Sequence, residues 1–86
     1  MIEKYRKLPV VIEAEQWVPS SYAEAVLLSE RWGATMGADG VFGVETLEGR
    51  HTISYGDWMI RGVKGEVYPC KPDIFGLTYE RVTDAG

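Results

Sequence analysis

The chain has 86 residues, enough for one domain (1–86) and not two, with a formal net charge of -4 and 12% aromatic residues. The acidic balance excludes the basic footprint expected of a duplex nucleic-acid binder. A single cysteine, Cys70, excludes an internal disulfide and fits a reducing compartment, and one cysteine with one histidine falls short of a structural zinc site.

In chain order, residues 1–8 are mixed and charged, and Pro9 opens an alternating run, Val10 to Val18, that reads as a strand. Val10, Ile12, Ala14 and Val18 share the face expected on the core. Val11, Glu13, Glu15 and Trp17 share an acidic face expected in solvent. Glu13 and Glu15 on one face invite a paired-carboxylate reading for acid–base chemistry, but solvated acids on an outer strand face are the commoner arrangement. Lys4, Arg6 and Lys7 precede an apolar run interrupted by glutamates, which is not the pattern of a signal peptide. The apolar stretch Ala25 to Leu28 falls far short of the about 20 residues of a membrane span.

Ser21 followed by Glu24 forms a capping box, and Gly33 supplies a stop, so a helix is expected over about 22–32. Trp32 at its end is expected to pack on the sheet. Residues 33–40 are small and glycine-rich, but they lack the lysine and hydroxyl residue of a phosphate loop and read as a connection. Val41 to Leu47 reads as a strand, Glu48-Gly49 as a hairpin turn and Arg50 to Ser54 as the return. Tyr55-Gly56-Asp57 turns into Trp58–Arg61, with Asp57 capping its own turn. Trp58, Ile60 and Gly62 then share one face and Met59 and Arg61 the other. Val63 to Glu66 turns again into Val67-Tyr68, and Pro69 marks a strand end or edge. Pro72 to Phe75 opens a short helix that Ile74 and Phe75 pin to the core. Residues 78–82 read as a last strand and 83–86 as a frayed end. The fold class is therefore α+β: a small antiparallel meander of short strands packed with one main helix and a short C-terminal helical turn.

Three stretches carry a resemblance: Tyr5 to Trp17, Thr46 to Gly49, and Gly56 to Phe75. Together they resemble a group of small bacteriophage and prophage proteins that carry what is called the PGDYG motif. In this chain Tyr55 stands at the motif's proline and Trp58 at its tyrosine. The resemblance implies a phage origin and a fold, and it carries over no catalytic residues; with that origin, the lone cysteine fits a place in the reducing host cytoplasm. Phage accessory proteins often act by stoichiometric binding, including sequestration of nucleotide signals used in host defence.

Two functional readings follow. The first is non-enzymatic binding of a small anionic nucleotide-derived ligand by Trp58, Arg61, Lys64, Tyr68 and Lys71, where aromatic and basic residues interleave. Regular alternation places Trp58 and Arg61 on opposite faces, so a single chain presents both only through a twist, a bulge or a homo-oligomeric boundary. The second is inhibition of a host protein, or a virion accessory role, through the strand face of Glu13, Glu15 and Trp17, with tryptophan as the anchor. An enzyme is the weakest reading, because Cys70, His51, Asp57 and Asp73 share no catalytic spacing. The same sequence implies no cofactor and no metal.

Overall fold

Local capping settles the main helix, α1, which spans Tyr22–Trp32. The Glu24 N–H donates to Ser21 Oγ at 3.1 Å, and Gly33 closes the helix in the left-handed region at φ 67°. The Glu24 carboxylate accepts from the Ser20 hydroxyl at 2.6 Å, so it reaches the residue before the cap rather than the cap's own N–H. The computed structural model describes residues 1–83, so the end expected to fray falls, beyond Thr83, outside the described residues.

Among the described residues, six strands form two antiparallel three-stranded sheets. The first has the order β1 (Glu13–Gln16), β5 (Trp58–Arg61), β6 (Val67–Cys70), and the second the order β2 (Thr35–Met36), β3 (Phe42–Thr46), β4 (Gly49–Thr52). A second helix, α2, spans Pro72–Thr78, with proline at its start and Asp73 in its first turn. The α+β class therefore holds, but the strands divide between two sheets instead of running as one meander. The short β2 lies inside the stretch read as a connection, where it pairs Thr35 with Gly43 and Met36 with Phe42. Arg50 fastens this hairpin, donating to the Thr35 and Val41 carbonyls at 2.8 and 3.3 Å. The β3–β4 turn falls on Leu47-Glu48, one residue earlier than expected, and Gly49 at φ 106° begins the return.

The first strand is shorter than its alternation suggests, because its partner is short. Glu13 pairs with Arg61 and Gln16 with Trp58, and beyond Arg61 the chain turns at Gly62. Residues 10–12 thus run past the end of β5. The expected faces are also inverted at Trp17, which is 4% exposed, while Val18 is 40% exposed. The cause is that the first sheet is covered on both sides. One face carries Met59 into the main core with Trp17, Leu28, Trp32, Val44 and Ile53. The other carries Ala14, Trp58, Ile60 and Tyr68, with Trp58 stacked on Phe75 of α2 and Tyr68 beside Tyr79 after it. Met59 and Ile60, on opposite faces of one strand, are both fully buried, which marks β5 as the centre of a two-sided packing.

Pro69 lies within β6, an edge strand, where a missing N–H is tolerated. No α2 residue is fully buried, and Ile74 is 54% exposed, so Phe75 holds the helix without it. The strand expected over 78–82 does not form. The helix takes in Thr78, whose hydroxyl donates to the Ile74 carbonyl at 2.7 Å, and the Tyr79 ring turns back onto Phe75.

Candidate ligand-binding groove

An open groove of about 460 Å³ lies between the extended residues Val10–Ile12, the first sheet and the segment after α2. Its volume falls within the range of about 300–1,000 Å³ usual for small-molecule pockets. Its aromatic wall is built from three elements. Trp58 projects from β5 and stacks on Phe75 of α2, with centroids 4.2 Å apart and planes 4° from parallel. Tyr79 follows four residues after Phe75, one helical turn on, and its ring centroid lies 5.2 Å from that of Phe75. Glu80, Arg81 and Val82 complete this side. Lys7 sits 5.7 Å from the Tyr79 ring centroid and brings a second cation to the same neighbourhood.

Of the five residues expected to bind a ligand, Trp58 lines this groove. Tyr68 supports it from β6, its hydroxyl 3.5 Å from that of Tyr79. Hydrogen bonding to Tyr79, reinforced by burial and by the nearby Glu66 and Cys70, pushes the Tyr68 phenol up to about 12.

The three basic residues lie elsewhere. Arg61 is on the opposite face of β5, where its guanidinium meets Glu13 at 3.2 Å, donates to the Arg31 carbonyl at 3.1 Å and lies 4.7 Å from the Trp32 ring centroid. It thus closes the C-terminal end of α1. Lys64 is exposed on the β5–β6 turn, its backbone N–H donating to Glu66 Oε2 at 3.0 Å. Lys71 donates to both carboxylate oxygens of Asp57, at 3.1 and 3.4 Å. Within one chain the five residues therefore do not converge: the pleat of β5 separates Trp58 from Arg61, as the alternation predicts, and Lys71 turns toward Asp57.

The strand face expected to meet a protein partner is corrected as well. Glu15 accepts from Trp32 Nε1 at 2.6 Å and from Arg31 at 2.5 Å, which ties β1 to α1. Trp17 is core, and only Glu13 of the three keeps a largely exposed side chain. The indole of Trp17 is therefore not on the surface to anchor a partner.

The residues weighed for catalysis are also dispersed. Asp57 is 2% exposed and closes its own turn, accepting from the Ser54 N–H at 2.9 Å. It borders a second, more polar depression with Arg50, His51, Thr52, Pro69 and Lys71. Cys70 lies opposite Trp58 in the β5–β6 pair, and burial first, then the charges of Asp57 and Asp73, push its thiol up. A raised thiol holds little thiolate at neutral pH, which disfavours nucleophilic chemistry. No group of three or more His, Cys, Asp or Glu side chains among the described residues is placed to hold a metal ion.

Arg81 and Tyr79 were not singled out in the sequence as groove residues. The signal that points to Tyr79 is its i,i+4 spacing from Phe75, which places both rings on one side of a helical turn. No protein-family model, curated protein or solved structure matches the chain.

Proposed function

We propose that this protein is a phage accessory protein that binds, without transforming, a small nucleotide-derived signal of host defence in the host cytoplasm. The observation that carries the reading is the groove walled by Trp58, Phe75 and Tyr79 with Arg81 in the same lining. Aromatic faces suit a base, with stacking worth about 1–3 kcal/mol per base. A guanidinium suits a phosphate, which it can hold by two parallel hydrogen bonds. Lys7, close to Tyr79, adds attraction for an anion. The ligand contacts are thus assigned to Trp58, Tyr79 and Arg81, with Phe75 backing the stacking surface and Tyr68 supporting Tyr79.

The test is calorimetric titration with cyclic dinucleotides and cyclic ADP-ribose isomers, followed by mass analysis of the recovered ligand. The expected result is saturable binding to one of these compounds, recovery of an unchanged mass, and weakening by more than tenfold in Arg81→Glu. Silence across the panel overturns the nucleotide reading, and a changed mass makes the protein an enzyme.

A further inference from the structure

The strongest strand-forming run of the N-terminal region has no strand partner among the described residues. Val10, Val11 and Ile12 are β-branched, yet they lie outside every regular element, and no backbone hydrogen bond outside those elements involves residues 1–12 among the described residues. They continue β1, which among the described residues is an edge of the first sheet and pairs with β5 alone. Val11 is 73% and Leu8 78% exposed. The chain is extended, with a radius of gyration of 14.9 Å against about 12 Å for a compact chain of this length. An unpaired edge continued by an apolar run is a template for pairing with another strand.

Charge specifies what that strand is. Lys4, Arg6 and Lys7 lie before Val10–Ile12, and Glu13 and Glu15 lie after it. The order basic, apolar, acidic is self-complementary when the segment pairs antiparallel with a copy of itself. With a twofold axis at Val11, Val10 lies opposite the partner's Ile12, and Lys7, which sits beside Tyr79 in the single chain, comes opposite the partner's Glu15, where it joins Arg31 and Trp32 on one carboxylate. An axis at Val10 preserves the match by setting Lys7 opposite the partner's Glu13. The same asymmetry holds for the whole chain. Residues 1–9 carry a net charge of +2 in a protein of net -4, so the basic arm belongs beside an acidic body.

We propose that the β1 edge, extended through Val10–Ile12, pairs antiparallel with the same edge of a second copy and joins two three-stranded sheets into one of six strands. The interface is isologous, each copy giving and receiving the same contacts. Pro9 forfeits one ladder bond at most, and because the chain before Glu13 runs past the end of β5, its other edge is free to carry the position without an N–H. The pairing also holds Val10–Ile12, one wall of the groove, in an extended conformation. It does not depend on any ligand.

Sedimentation equilibrium of the full chain tests this. The expected mass is twice the 9.6 kDa of one chain, with the dimer weakening as salt is raised. The triple variant Lys4→Glu, Arg6→Glu, Lys7→Glu reverses exposed charges and is expected to weaken the dimer roughly tenfold or more. Val11→Pro removes an N–H near the axis and is expected to give monomer with an unchanged near-ultraviolet spectrum. If that variant misfolds, the charge reversals decide. A wild-type mass of one chain overturns the proposal, and so does a dimer as tight in the charge-reversed variant as in the wild type.

Discussion

The indole of Trp58 lies face to face with the phenyl ring of Phe75, centroids 4.2 Å apart and planes 4° from parallel. The stack joins β5 to a helix with no fully buried residue of its own, so α2 depends on it for its position. Phe75→Ala should therefore loosen α2 and lower stability by about 2 kcal/mol, since the ring is only partly buried. Urea unfolding reads the loss, and hydrogen exchange at α2 should rise well above that of α1. Equal protection of both helices in the variant would show that α2 is held by something other than this ring.

Asp57 places a carboxylate in the interior and satisfies it from two sides, through the Ser54 N–H and the Lys71 ammonium. Its carbonyl also accepts from the Trp17 N–H at 2.7 Å, so the turn secures the chain that carries a core tryptophan. Asp57→Ala should cost about 2–4 kcal/mol, because it orphans a backbone donor and removes the turn's own cap. Lys71→Ala should cost less, about 1–2 kcal/mol, because the Lys71 side chain is 58% exposed and water can approach the carboxylate in its place. Urea midpoints of the two variants give the order directly, and a reversed order would assign the stabilisation to the ion pair rather than to the turn.

Glu15 separates charge from hydrogen bonding in a single side chain. One oxygen accepts from Trp32 Nε1 and the other from Arg31. Glu15→Gln keeps an acceptor for the indole and should cost under about 1 kcal/mol, because the Arg31 side of the ion pair is 57% exposed and water screens it. Glu15→Ala leaves a buried indole N–H without its partner and should cost about 1–3 kcal/mol. Thermal unfolding of both variants tests the difference. Similar losses in both would show that the charge, not the hydrogen bond, ties β1 to α1.

The helix over 22–32 was legible because both its signals are local: Ser21 accepts from Glu24, and Gly33 has the backbone freedom for the left-handed closing turn. The faces of β1 were not, because alternation assigns a wet and a dry side only when one side is wet. Trp17 and Glu15 point toward α1, and Glu15 is acceptable there because Trp32 and Arg31 donate to it. The alternation within β5 holds, and it explains why the expected ligand site divides: Trp58 reaches the groove and Arg61 caps α1. Arg81 is not legible as a groove residue because the run 78–82 resembles a strand, whereas its position follows from where α2 ends.

The Tyr68 phenol offers a pH signature of the groove's supporting wall. Its value is raised from 10.0 to about 12, chiefly by the Tyr79 hydroxyl and then by burial. A raised folded value means that the folded protein holds the proton more tightly than the unfolded chain does. The corresponding stability is complete below about pH 10 and is lost as pH rises toward about 12. Alkaline titration of tyrosinate absorbance should show one of the five tyrosines ionising late. Tyr68→Phe should remove that late step, and so should Tyr79→Phe, by taking away the neighbouring hydroxyl. Stability measured against pH in either variant should lose the part of its alkaline decline that belongs to Tyr68. If the late step persists in Tyr68→Phe, it belongs to another phenol, and the hydroxyl pair behind the groove is not what raises it.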